Sequence, residues 1–108
     1  MSTEAVALNK LSEGTLTVKI CGEIDHHSAK EVRESIDAAL LLHRPKRLVL
    51  KLEEMRFMDS AGLGLILGRV AGANAVGATV EIVGADARAL RIMEMAGLFR
   101  RADIRIHK

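Results

Sequence analysis

The chain has 108 residues, and its 16 basic and 14 acidic residues leave a formal charge of only +2. The charges are interspersed and the only aromatic residues are two phenylalanines, which argues against a nucleic-acid partner because such surfaces need a basic patch or stacking rings. No apolar run approaches the ~20 residues that cross a bilayer, one cysteine cannot form an internal disulfide, and no signal-peptide pattern is present. These features predict a single aliphatic-cored cytoplasmic domain with no membrane partner.

The first elements predicted are a β-hairpin and a loop. Residues 5–11 are a strand candidate, residues 12–14 contain a turn, and residues 15–21 alternate as a second strand. Its buried face is expected to carry Leu16, Val18 and Ile20. Residues 22–27 are polar and are expected to form a loop.

A helix is predicted next. Ser28 followed three residues later by Glu31 fits a capping box, so the helix is expected to start at Ser28 and to stop before Pro45. Its apolar face is expected to consist of Val32, Ile36, Ala39 and Leu40.

Strand and helix patterns alternate through the second half. Strands are predicted at residues 47–52, 79–83 and 103–106, a helix from Ser60 to near Gly77, and a helix at residues 87–96 capped by Asp86 and closed by Gly97. The apolar face of the Ser60 helix is expected to contain Leu63, Ile66, Leu67 and Val70. The pattern predicts one α/β domain over residues 1–108, with a mixed, mostly parallel sheet in which an N-terminal β-hairpin is followed by alternating helices and strands.

Loops that follow parallel strands emerge at the same edge of a sheet. Residues 22–27, 53–59 and 84–86 are therefore expected to gather at that edge, which would bring Glu23 and Asp25 near Ser60.

Asp59 and Ser60 lie where the strand pattern ends and the helix pattern begins. Both are common N-cap residues, and the positive end of a helix favours anions. Ser60 is thus a candidate cap, modification site or nucleophile. A hydrolase would need a base such as His26 or His27 nearby, and the G-x-S-x-G pattern is absent.

Three other features have plainer interpretations. The spacing of Gly62, Gly64 and Gly68 does not match a dinucleotide fingerprint, so these glycines are interpreted as allowing close helix packing. The adjacent histidines lack further metal ligands, so no metal or cofactor is predicted. Met58 belongs to an apolar run that suits either the core or the rim of a partner surface.

Together these stretches resemble the sporulation anti-sigma factor antagonists of spore-forming bacteria, which are stand-alone STAS domains. The resemblance rests on residues 22–27 (GEIDHH), 57–69 (FMDSAGLGLILGR) and 95–99 (MAGLF). It implies a non-catalytic protein that binds an ATP-dependent anti-sigma factor serine kinase and so frees a sigma factor. Phosphorylation of Ser60 by that kinase would inactivate it until a serine phosphatase removes the phosphate. The implied partner-binding residues are Glu23, Asp25, His26, Met58, Asp59, Ser60 and Gly62.

The sequence departs from the family pattern at two points. Ala61 replaces a second serine, which leaves Ser60 as the acceptor, and the chain stops at Lys108, so the usual C-terminal helix is expected to be short or absent. Two other functions fit the same pattern: a STAS subunit of a transport or stress-signalling complex, and a serine hydrolase.

Overall fold

A computed structural model describes residues 6–57 and 60–107. The first elements are β1 (Val6–Ser12), β2 (Thr15–Glu23), α1 (His26–His43), β3 (Arg47–Lys51) and β4 (Met55–Phe57). They are followed by α2 (Ser60–Ala75), β5 (Thr79–Val83), α3 (Ala87–Met95), a 3-10 turn (Leu98–Arg100) and β6 (Ile104–Ile106).

The strands form one mixed sheet in the order β1-β2-β3-β5-β6, and β4 pairs with the end of β2. The β1–β2 hairpin is antiparallel, whereas β2–β3, β3–β5 and β5–β6 are parallel. The hairpin turn is Glu13–Gly14, with φ of 50° and 79°, which matches the twist of the flanking strands. The predicted mixed, mostly parallel α/β fold is confirmed.

The core lies on one face of this sheet. Alternate residues of β2, β3 and β5 are fully buried, and the residues between them are half-buried or exposed. Because the strand order advances in one direction and crossovers are right-handed, the connecting helices cover the same face. The buried set includes Leu16, Val18, Ile20, Val32, Ile36, Leu40, Ile66, Val70 and Met93. None of the helices in the described part of the chain is both long enough and apolar enough to span a bilayer.

Helix α1 begins two residues earlier than predicted. Asp25 is the N-cap, and Ser28 is the third helical residue of a capping box, so the prediction of Ser28 as the cap is wrong. The predicted loop at 22–27 is correspondingly shorter, because Gly22 and Glu23 belong to β2 and both histidines belong to α1. The predicted buried face of α1 is confirmed.

Two further details differ from the sequence prediction. The buried face of α2 includes Ile66 and Val70 as expected, but Leu63 and Leu67 are only half-buried, and Leu65 and Arg69 are buried instead. Strand β4 was not predicted. The ends of the other elements lie within two residues of the prediction. The predicted Asp86 cap of α3 is confirmed, and its carboxylate accepts a hydrogen bond from the Ala89 N–H at 2.8 Å.

The parallel registers place the loops after β2, β3 and β5 at one edge, as predicted. The Gly22 N–H donates to the Glu54 carbonyl at 3.0 Å, so the end of β2 is tied to the loop before β4. Gly84 has a φ of +77°, and a Cβ added there would lie 3.0 Å from the backbone nitrogen of Glu53. The loops after β3 and β5 are therefore in close contact.

Candidate functional site

Ser60 is the first residue of α2, and its side chain is exposed. Its position inside the helix means that it is not the flanking cap residue. The predictions for Met58 and Asp59 fall outside the described residues. An exposed hydroxyl at the amino end of a helix is accessible to a modifying enzyme, and the helix dipole there favours an added negative charge.

A groove between α1 and α2, which we call the α1–α2 groove, begins at Ser60. It has a volume of about 540 Å³. Residues that line it include His26, Lys30, Arg33, Ser60, Gly64 and Arg69. Ser60 therefore shares one depression with His26, which the sequence analysis placed in the same partner surface, and with Lys30, Arg33 and Arg69, which it did not.

Gly64 and Gly68 of α2 line this groove and do not serve close packing. A Cβ added to Gly64 or Gly68 would meet no atom within 4 Å beyond its own helix, so the packing interpretation is wrong for both. Gly72 differs, since a Cβ there would contact Leu40 at 3.6 Å. Where α2 faces the groove, the missing side chains leave space open to solvent.

The far end of the groove is closed by an ion pair between the two helices. Arg69 is only 6% exposed, and its Nε lies 2.8 Å from Asp37 Oδ1. The N–H groups of Arg69 are poorly aligned with the Asp37 carboxylate: neither Nε nor Nη1 makes a hydrogen bond to an acceptor among the described residues. Burial lowers the pKa of Arg69, Asp37 opposes that change, and the nearby charge of Arg33 adds to it.

Asp25 is engaged in its own helix. Its carboxylate accepts from the Ser28 N–H at 2.8 Å and from the Ser28 hydroxyl at 3.0 Å. These hydrogen bonds lower the pKa of Asp25, the backbone donor contributing most. The Asp25 side chain is nevertheless exposed. Asp25 therefore has a structural role as the N-cap of α1, and a substitution there would change the helix start together with any surface contact.

Of the other predicted site residues, Glu23 and His26 have exposed side chains and Gly62 is buried. Glu23 and His26 are exposed, at the end of β2 and the start of α1, on the same sheet edge as Ser60. Gly62 is buried in α2, so a partner would not contact it directly.

The geometry gives little support to hydrolysis. His26 lines the groove with Ser60, but no hydrogen bond joins Ser60 to His26 or His27 within the described ranges. In the same ranges, no three His, Cys, Asp or Glu side chains are grouped so that they could hold a metal ion.

A hairpin-led α/β sheet covered by helices on one face, with an exposed serine at the start of its second helix, defines a STAS-type domain. Residues 8–107 match the STAS domain family, and the chain belongs to that family.

Similar proteins are named as antagonists of anti-sigma factors. The chain is 38% identical over 87 residues to the anti-sigma F factor antagonist of Paenibacillus polymyxa, covering 81% of this chain and 74% of the relative. It is 30% identical over 95 residues to the anti-sigma-B factor antagonist of Bacillus subtilis (strain 168), covering 88% and 85%. The structure of the anti-sigma factor antagonist SpoIIAA in its unphosphorylated form has a TM-score of 0.78 at 23% identity, covering 95% of this chain and 89% of that one. This last match concerns the fold alone.

Proposed function

We propose that the chain is an anti-sigma factor antagonist that binds an anti-sigma factor serine kinase, releases a sigma factor and is inactivated by phosphorylation of Ser60. The observation that carries the proposal is the exposed Ser60 hydroxyl at the start of α2 in a chain 38% identical to a named antagonist. The relatives differ in the sigma factor of their names, so the proposal concerns the antagonist role and no particular sigma factor.

The proposed switch is a phosphoryl transfer in which this chain is the substrate. The kinase holds ATP, a bond forms between Ser60 Oγ and the γ-phosphorus, and the bond from that phosphorus to the bridging oxygen of ADP breaks. The hydroxyl proton passes to a base of the kinase or to water. A serine phosphatase restores the hydroxyl by hydrolysis. The chain itself needs no catalytic group, and the ATP requirement places the reaction in the cytoplasm.

The proposed partner surface surrounds Ser60 at the carboxyl edge of the sheet. It consists of Glu23, Asp25, His26, Met58, Asp59, Ser60 and Gly62. Support comes from the exposure of Glu23, Asp25 and His26 on the same edge as Ser60. Buried Gly62 would act by shaping the first turn of α2.

Incubation with the host's kinase-type anti-sigma factor and ATP, followed by mass-spectrometric mapping, tests the proposal. We expect one phosphate on Ser60. Ser28 is fully buried, the Ser35 hydroxyl already accepts a hydrogen bond from Asn9 at 3.2 Å, and the exposed Ser12 lies beside the hairpin turn, at the opposite edge of the sheet from Ser60. The Ser60→Ala variant should remain folded, bind the kinase and take up no phosphate. A phosphate on Ser28 or Ser35 with Ser60 unmodified would overturn the proposal.

A further inference from the structure

We infer that the α1–α2 groove receives the phosphate of phosphorylated Ser60, with Lys30 as its principal counter-ion and His26 beside it. This inference rests on the proposed function only in taking Ser60 as the acceptor. The groove would thus bind a phosphate carried by the same chain. When Ser60 is unmodified, the groove is open to solvent.

The spacing on α1 puts basic side chains along one wall of the groove. His26, Lys30 and Arg33 are at positions i, i+4 and i+7, which lie on one face of a helix, and all three line the groove together with Ser60. Each is exposed, and none has an ion-pair partner among the described residues. The charges of Lys30 and Arg33 and the ring nitrogens of His26 are therefore available to a new anion.

Helix geometry directs these side chains toward Ser60. A helical side chain leans toward the amino end of its helix, so Lys30, about 6 Å below His26 along α1, extends back toward the level at which the groove begins. Its flexible four-carbon stem carries a point charge with three donors, which suits a phosphate oxygen.

Arg69 lies deeper in the groove than Lys30 and is less suited to bind the phosphate. Arg69 follows Ser60 by nine residues, which is about 13.5 Å along α2. Arg69 is also already paired with Asp37. Its contribution is to hold the two helices together through that ion pair.

Asp25, which precedes His26 at the start of α1, is an opposing charge at this end of the groove. The hydrogen bonds from Ser28 lower its pKa and keep it ionised, so Lys30 and the amino end of α2 must outweigh its repulsion of a phosphate. The open space beside Gly64 leaves room for three phosphate oxygens on the α2 side. Charge, reach and space thus point to the same end of the groove.

The test is a phosphorus NMR titration of the folded chain with phosphoserine placed at position 60 during translation. No kinase is needed, so the result is independent of whether the proposed function is correct. The second pKa of phosphoserine is ordinarily about 6, and we expect a value about 1 unit lower in the folded chain than in the urea-unfolded chain. Lys30→Gln should remove at least about half of that difference.

Lys10→Gln is the matched control, because Lys10 is an exposed lysine on β1, away from the groove. This substitution makes the same change in net charge and should leave the phosphate pKa of the folded chain unchanged. His26 is unchanged in both variants. Equal phosphate pKa values in the folded and unfolded chains, or equal effects of the two lysine substitutions, would overturn the inference.

Discussion

Phosphorylation of Ser60 is expected to weaken binding to the anti-sigma factor kinase at least about 100-fold, or roughly 2.7 kcal/mol, without refolding the domain. The phosphate adds about −1.5 to −2 charges to an exposed residue. Nothing buried must move to admit it, so stability should change by no more than about 1 kcal/mol. A kinase docking over Ser60, by contrast, would have to desolvate a group that already has its counter-ion in the α1–α2 groove.

The measurement is kinase affinity by calorimetry, together with the urea midpoint and amide spectra of both forms. Phosphoserine at position 12 is the control: Ser12 is exposed beside the hairpin turn, at the opposite edge of the sheet from Ser60. That form carries the same charge and should bind the kinase like the unmodified chain. Spectral changes spread across the sheet would indicate a conformational switch and contradict this mechanism.

Asp37→Ala is expected to destabilise the domain by about 2 kcal/mol, because it leaves the Arg69 guanidinium buried without a carboxylate. Removing one partner of a fully buried ion pair commonly lowers the free energy of unfolding by more than this. The Asp37 side chain is 41% exposed, however, so water can partly take the place of its carboxylate. Arg69→Met removes the charge and keeps most of the volume, so it should change stability by less than about 1 kcal/mol. Urea unfolding of the two single variants and the double variant measures the coupling between them.

Glu34→Ala is the control for loss of a carboxylate from α1. Glu34 is exposed on the same helix, and its removal should change stability by less than about 0.5 kcal/mol. In the double variant, most of the stability lost in Asp37→Ala should return. If the double variant is as unstable as Asp37→Ala alone, the buried charge of Arg69 is not the cause.

Regular alternation made most of the fold predictable from the sequence. Leu16, Val18 and Ile20 alternate with polar residues because one face of the sheet carries the core and the other is solvated. Strand β4 escaped prediction because it has only three residues and joins β2 across an irregular register between Gly22 and Glu23. Such a short strand is specified by its neighbour more than by its own pattern.

The cap of α1 could not be chosen from local sequence. Asp25 and Ser28 are both good N-cap residues, and each has a suitable partner three residues later. The choice depends on tertiary structure, since Ser28 is fully buried and its single hydroxyl proton is shared between Asp25 Oδ1 at 3.0 Å and the Glu23 carbonyl at 3.2 Å.

The α1–α2 groove is likewise a property of the packed molecule. Small residues in a helix are consistent with close approach or with an open cleft, and only the position of α1 decides between them. One local signal was available: Arg69 interrupts an otherwise apolar stripe of α2, which indicates a charge with a partner on another element.

Displacement of a sigma factor from its complex with the anti-sigma factor kinase tests the central claim most directly. The preformed complex is titrated with this chain in the presence of ADP, so that no phosphate is transferred, and the sigma factor released is measured. The unmodified chain is predicted to release the sigma factor as its concentration rises, while the chain carrying phosphoserine at position 60 releases none over the same range. A complex that keeps its sigma factor at saturating unmodified chain, or that loses it equally to both forms, would contradict the account.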